Sequence, residues 1–481
     1  MSSKQVGQLA LALLLFYPIL NLGLNSLVID YGWWAHLANT VLWQQIKNTV
    51  LVVLSTVFFS TAIAVPTAWV MARKKFLGSN VLKFLLILPM VFPTYVGAVT
   101  YIDLFGSLLT ETIPTWVSVG FIYSLFTYPY IYIPLYTNIS KTSKHYHEMA
   151  VQSRATFWFK ATKLLGPLYG AGLLASIMLV LLESVSDFGT ASLFGIQTVT
   201  VGIYQLWFSA NLPMMATQYA LLLMAVCLLL GYSYSPMHVR NPVNSDSNNE
   251  SKVSVWYWVP ALPILALSVF IPTATMMHWL YKIGLNFDLE LFVSALGNTL
   301  LLGVGTATAC IVITYLMVKL QLWSRICSIG YFIPSAVLAL AFLYLDFGII
   351  QTTILVLMIP CVMRFISLSG NAIQSIHYKN NAYVQELKHI YPLSLKLKFY
   401  NEWRTYRGIL LYSWIVIFID TIKELNMTIF LQPFNYSSLS LQIYGFAHSE
   451  QPEVAGVYCL ALILLLLPLC IVLLRKNNAF L

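Results

Sequence analysis

Tyr146-His-Glu-Met-Ala-Val-Gln-Ser-Arg-Ala-Thr156 opens a polar, basic loop, and the apolar stretch behind it closes on Leu181-Leu-Glu-Ser-Val-Ser-Asp-Phe-Gly-Thr-Ala-Ser-Leu-Phe-Gly195. A charged loop of roughly twenty residues thus feeds directly into an apolar helix that carries two carboxylates, Glu183 and Asp187. In a membrane protein, such a loop is placed to receive force from outside the bilayer, and the helix behind it to pass that force inward. A weaker copy lies 237 residues downstream, where Gln385, Asp420 and Glu424 fall opposite Glu148, Glu183 and Asp187.

Composition sets the surroundings of that stretch. The chain has 481 residues, 59% hydrophobic and 9% charged, with a mean hydropathy of +0.77. Soluble domains carry about a quarter charged residues, so most of this chain belongs in lipid. Crossing the hydrocarbon takes about 20 apolar residues per helix, and helices are required because unpaired backbone amides are not tolerated there. The long apolar runs predict an all-α polytopic membrane protein; the short alternating segments of a transmembrane β-barrel are missing.

Twelve spans are expected, near 6–28, 48–71, 82–104, 115–137, 170–194 and 216–234, then 256–280, 293–318, 326–346, 348–368, 408–432 and 455–474. The first apolar run exceeds a signal-peptide core and no small-residue cleavage site closes it, so it reads as retained. Basic residues set the orientation. Of the 26 lysines and arginines, 23, counting Arg364, fall on one face by this reading; the exceptions are Lys47, Lys282 and Lys423. Both termini are therefore expected in the cytoplasm. The formal charge of +9 follows from this bias and from contact with anionic lipid, not from nucleic acid. Six cysteines lie in or beside apolar runs without CxxC spacing; they read as small buried hydrophobes and not as metal ligands.

The Asn-, Ser- and Pro-rich segment from Ser233 to Val253 has no apolar periodicity and reads as a flexible linker. It divides the chain into 1–235, a linker at 236–253, and 254–481. Repetition supports the division. Asn48-Thr49 opens the second span and Asn298-Thr299 the eighth, Pro93 has its counterpart in Pro334, and basic loops at 138–169 and 369–407 occupy the same place in each half. With six spans apiece, the halves should enter the membrane in the same direction, as two parallel repeats.

These residues resemble the permease subunits of bacterial ABC importers, most closely the fused, double-length permeases of ferric-iron uptake. In that family the cytoplasmic loop carries Glu-Ala-Ala, a Gly and a Leu-Pro. Glu148, Ala150 and Pro167 match, whereas Met149, Arg154 and Gly166 depart. The family's Glu-x-x-x-Asp-Phe-Gly-Thr is reproduced without change by Glu183, Asp187, Phe188, Gly189 and Thr190. In the second half Asp420, Lys423, Glu424 and Leu425 follow the family pattern, with Asn426 in place of Pro and Pro433-Phe434 beyond. The second loop is degraded: Gln385 (followed by Glu386) stands at the Glu position, Tyr391 at the Gly and Arg404 at the Pro, with Gly408 kept.

The resemblance implies a type I importer fold in the inner membrane, two cytoplasmic ATPase subunits under the loops, and a periplasmic binding protein delivering the cargo. It also implies no cofactor on this chain, ATP being used by the partners. The loop at 146–167 then offers Tyr146, Met149, Ala150 and Phe157 as anchors for a partner groove; alternatively it is an interfacial helix held by lipid headgroups. Glu183, Asp187, Phe188, Gly189, Thr190, Asp420, Lys423 and Glu424 are candidates for the translocation path or gate, or for inter-helix ties without cargo contact. Lys423 can pair with Asp420 at i,i+3 spacing.

Gly189, Gly195 and Gly297 read as close helix contacts or, alternatively, hinges, Pro89, Pro93 and Pro334 as kinks, and His145, His147 and His389 as solvated. No phosphate loop, HExxH or GxSxG occurs, so neither ATP hydrolysis by that route nor an intramembrane enzyme is expected. A thiamine- or polyamine-type ABC permease and an ion-coupled secondary transporter remain as alternatives.

Overall fold

The computed structural model describes residues 3–74, 76–141, 156, 159, 163, 166–233, 255–284, 286–323, 325–345, 348–388 and 395–476. Among these residues every regular element is helical. The linker at 236–253 lies outside them.

Two long helices, α1 (Leu42–Arg73) and α2 (Leu289–Lys319), form the spine of each half. Both close on a basic residue, Arg73 and Lys319, where a cation meets the negative end of the helix dipole. Only α2 has a side-chain N-cap, Asp288, which accepts from Leu291 N–H at 3.0 Å.

Eight helices among the described residues are long and apolar enough to cross a membrane, or nine if the bent pair Ser79–Val91 and Thr94–Thr112 counts as one span. The expected third span is thus broken, its two pieces meeting at 88°. The cause is Pro93, which cannot continue a helix and pushes Phe92 into an extended conformation (ψ 123°). Pro334 acts alike, separating the turn Arg325–Phe332 from the short helix Ser335–Leu343. The expected fourth span is also divided, into Thr115–Thr127 and Pro129–Lys141, where Pro129 lacks an N–H to give.

The chain forms two compact units, and each crosses the linear halves. One comprises Met1–His36, Ile203–Leu228 and Asp288–Gln442; the other comprises Leu37–Gly202, Leu229–Phe287 and Ile443–Leu481. In the unit built on 288–442, α2 packs against α3 (Leu355–Lys388) and α4 (Leu395–Ile422), and the N-terminal helix Ser3–Asn25 packs on Ser335–Leu343. In the unit built on 37–202, α1 packs against Thr115–Thr127, Pro129–Lys141 and α5 (Gly166–Ser186), while Ile271–Ile283 lies along Pro452–Lys476.

Buried tyrosines stabilise the second of these units: the Tyr128 hydroxyl donates to Leu86 O at 2.7 Å, satisfying a carbonyl next to the Pro93 break. Trp279 is fully buried and donates to Asp103 Oδ2 at 3.0 Å.

Close helix contacts occur at glycines other than Gly195 and Gly297. A Cβ at Gly195 or Gly297 would meet nothing within 4 Å, and Gly195 instead has φ +66°, a turn conformation. Gly120 is one of the tight positions: an added Cβ would collide with the Ser55 side chain and approach Thr56 N at 3.0 Å. Gly120→Ala should therefore destabilise the protein by about 1–3 kcal/mol, read as a lower melting temperature in detergent, and Gly120→Ala with Ser55→Gly should recover part of the loss.

Candidate functional site

Helix α5 stops at Ser186, and Asp187 and Phe188 step out of it before a short helix begins at Gly189. A helix start leaves backbone N–H groups without intrahelical acceptors, and inside a membrane protein no water is at hand to serve them. Asp187 Oδ2 takes them, accepting from Thr190 N at 3.0 Å and Ala191 N at 3.3 Å. The buried Tyr123 hydroxyl stands beside this carboxylate and donates to Glu183 O at 3.5 Å.

Further ties gather around the break. Thr200 Oγ1 donates to Asp187 O at 2.6 Å, Thr190 Oγ1 donates to Thr94 Oγ1 at 3.0 Å, and Thr198 and Thr200 share a hydroxyl bond at 3.0 Å. The head of α1 joins them: Asn48 Nδ2 donates to Gln197 O at 3.0 Å, and Thr49 Oγ1 accepts from Val199 N at 2.9 Å.

The second half builds the same knot. After α4 ends at Ile422, Glu424 Oε1 accepts from Met427 N at 3.3 Å. Ser440 Oγ donates to Glu424 O at 3.2 Å, and Ser438 and Ser440 share a bond at 3.2 Å. Asn298 Nδ2 donates to Ser437 O at 2.9 Å, and Thr299 Oγ1 accepts from Leu439 N at 2.9 Å. Asn426 Nδ2 donates to Ser335 Oγ at 3.1 Å, in the place of the Thr190–Thr94 bond.

One partner differs. Arg364 stands 241 residues after Tyr123, the separation that also relates Pro93 to Pro334. Its Nη1 lies 3.0 Å from Glu424 Oε2, with the two side chains only 5% and 9% exposed. Arg364 is thus no cytoplasmic flank: α3 continues through it to Lys388, well past the expected end of its span near 368. The pair Lys423 Nζ–Asp420 Oδ1 forms at 3.2 Å, as its spacing allows.

At the far ends of these helices, Arg73 Nη2 donates to the Tyr169 hydroxyl at 3.1 Å in the unit built on 37–202. In the unit built on 288–442, Lys319 Nζ lies 3.0 Å from Glu402 Oε2, and His377 Nδ1 is 2.8 Å from the Tyr406 hydroxyl.

Of the expected coupling residues, Glu148, Met149, Ala150 and Arg154 lie outside the described residues, as do His145, His147 and His389. Pro167 is the second residue of α5. Gln385 and Glu386 fall within the continuous helix α3; the described residues hold no separate docking helix there. Gly408 lies inside α4 with open space around it.

The gate candidates come together as two separate knots. Asp187 is not on the same helix as Glu183, so the shared face expected from their spacing does not form. Phe188 is buried with its ring 5.7 Å from that of Tyr444, and Gly189 opens the short helix. Sequence reasoning missed Tyr123, Arg364 and the hydroxyl pairs; the last left a signal, since Thr198-Val199-Thr200 and Ser438-Leu439-Ser440 recur 240 residues apart. Cys227, Cys310, Cys361, Cys459 and Cys470 are buried thiols outside any disulfide.

The chain is similar over 458 residues, at 22% identity, to the Fe(3+)-transport system permease protein FbpB 2 of Haemophilus influenzae, covering 88% of this chain and 87% of that protein. It is also similar over 197 residues, at 25% identity, to the sulfate transport system permease protein CysT of Escherichia coli, covering 38% of this chain and 71% of that protein. No protein-family profile matches the chain, and no solved structure does. Together with the all-helical fold, the likenesses define the class: a multi-pass inner-membrane permease of the ABC-importer type, the transporting subunit and not an enzyme. Such a subunit works with ATPase and binding-protein partners.

Removing one member of a buried ion pair strands the other, at a cost of about 3–5 kcal/mol, whereas removing both is often near neutral. Arg364→Met should therefore lower the thermal unfolding midpoint in detergent markedly, and Arg364→Met with Glu424→Met should restore most of it.

Proposed function

We propose that this chain is the membrane path of an ATP-driven importer of ferric iron, working by alternating access. The observation that carries the reading is the likeness to an Fe(3+)-transport permease over nearly nine-tenths of both chains. The unbroken Glu183, Asp187, Phe188, Gly189, Thr190 set, which resembles the iron-type permeases, supports it. The sulfate-permease likeness covers only 38% of this chain, so it supports the class more than the cargo.

In this reading a periplasmic binding protein delivers the ion to the outer face. Two copies of a cytoplasmic ATPase grip the loops at 138–169 and 369–407, and both termini are cytoplasmic. Lysine and arginine placement supports that orientation, although Arg364, paired inside its helix, leaves the count. ATP binding and cargo release must bias the same two-state bundle, since otherwise no coupling exists. Glu148, Met149, Ala150, Arg154 and Pro167 are assigned to the first handle, and Gln385, Glu386 and Gly408 to the second.

In this reading Asp187 stands about one bilayer from the first handle, past the far end of α5, and Glu424 stands past the matching end of α4. Helix α5 has 21 residues, or about 31 Å at 1.5 Å each. The carboxylates therefore serve the outer side of the path, where their first duty is to cap the broken helices.

Reconstituted with its ATPase and binding protein in vesicles, the permease should take up radiolabelled ferric iron only when ATP is supplied, and should not take up sulfate or thiamine. Uptake that survives ATP depletion but collapses with an ion gradient would overturn the assignment. Glu148→Arg should abolish co-purification of the ATPase while the permease still reaches the membrane.

A further inference from the structure

The backbone ties repeat between the two halves, but their charge does not. At the outer break, the donors that the Asp187 carboxylate takes among the described residues are neutral, the backbone N–H groups of Thr190 and Ala191. The second half closes Glu424 with a guanidinium at 3.0 Å, almost wholly buried. Just inside that break, Lys423 holds Asp420 at 3.2 Å, whereas Ser186 stands where the first half would need the lysine. At the inner end, Lys319 holds Glu402 at 3.0 Å, where the first half has Arg73 on a tyrosine hydroxyl.

These differences are unequal in weight. Lys319 is half exposed, and exposed pairs hold little. The Arg364–Glu424 pair is the strong one, because parting it strands two charges away from water. Moving Tyr123 away from Asp187 parts no ion pair and leaves the carboxylate its two backbone donors. The loops differ in the same sense, with Glu148, Ala150 and Pro167 kept in the first and Gln385, Tyr391 and Arg404 standing at the matching positions of the second.

We infer that the halves divide the work of transport: the break at Asp187 is the one that opens, and the break at Glu424 is pinned, with Arg364 as its positioning residue. The inference rests on reading the chain as an ATP-driven permease. Force entering through the better-preserved handle travels along α5 to a knot held by neutral bonds. Force entering through the other meets a knot held by charge. Each half thus has the same hinge, and one of the two is locked.

Hydrogen exchange on the assembled wild-type transporter, in lipid discs with its ATPase, tests this without any substitution. Addition of ATP should raise exchange about tenfold in peptides spanning 187–200 and leave 424–440 unchanged. Equal rises, a rise confined to 424–440, or no rise in either during active turnover would overturn the proposal.

Exchanging the partners supplies a second test. Tyr123→Arg with Asp187→Glu should pin the first break and cut iron uptake about tenfold, with the ATPase still bound. Arg364→Tyr with Glu424→Asp should make 424–440 respond to ATP and raise the ATP spent per iron, while Arg364→Lys keeps the wild-type ratio. Unchanged uptake in the first pair, or an unchanged ratio in the second, would sink it. Should either pair fail to yield folded protein, the wild-type exchange comparison still decides. Failure of the functional reading has a different signature, namely wild-type protein with no ATP-driven iron uptake at all.

Discussion

A helix that starts within a membrane-spanning segment leaves backbone N–H groups that lipid cannot satisfy, and this chain starts two that way, at Gly189 and Asn426, just past the ends of helices at Ser186 and Ile422. Much of the neighbouring architecture answers that one demand. A carboxylate is the side chain suited to it: two acceptor oxygens reach several donors, and the otherwise costly charge is offset by the N–H groups it serves. Asp187 and Glu424 fill this role, and each draws a hydroxyl to its own backbone carbonyl from a Thr-x-Thr or Ser-x-Ser turn. That turn is in turn tied to an Asn-Thr pair at the head of the long helix. Five chain segments are thereby fixed at one point in each half, with few atoms exposed.

The general fold was legible because lipid imposes a simple rule on sequence: long apolar runs, interrupted by charge, must be helices. Where that rule is modified locally, the reading failed for definable reasons. Pro93 and Pro334 read as kinks in the sequence, yet each stands in an extended conformation between two separate helical pieces. Arg364 was counted as a flank because nothing near it in sequence offers a partner; Glu424 is 60 residues away, and spacing rules reach only three or four. Lys423, whose partner lies three residues back, was read correctly. Gly195 was taken for a packing contact, but its positive φ serves a turn, a property no apolar pattern records. The carboxylates were noticed for the right reason, their cost in lipid. Their capping role depends on a helix break that hydropathy does not mark.

The repeat explains how one sequence could hold two versions of a single device. Once the hydroxyl and amide ties satisfy the backbone, the remaining carboxylate oxygen is free to choose its partner without endangering the fold. Tyr123 stands at that position in one half and donates to the Glu183 carbonyl, whereas Arg364 stands there in the other and binds the Glu424 carboxylate itself. They differ in what separation costs: a neutral donor can be given up for another, whereas a guanidinium and a carboxylate parted away from water each keep an uncompensated charge. Divergence at a single site per half therefore changes the mechanics of a hinge while its geometry persists.

The composition of the compact units carries the argument one step further. Each core is completed by helices from the other linear half: Ser3–Asn25 and the segment from Ile203 to Leu228 join the core built on 288–442, and Ile271–Ile283 and Pro452–Lys476 join the one built on 37–202. Without a hydrophobic drive between helices in lipid, association rests on close packing and polar ties. Ser26 Oγ on Thr217, with Gln218 Nε2 on the carbonyls of Ser26 and Val28, is such a tie among the exchanged helices. A half expressed alone would have to find other partners for these helices, so fusing both halves in one chain keeps each core supplied with the helices that complete it. The same fusion lets the two breaks diverge, since a single gene encodes both and neither has to serve in two copies.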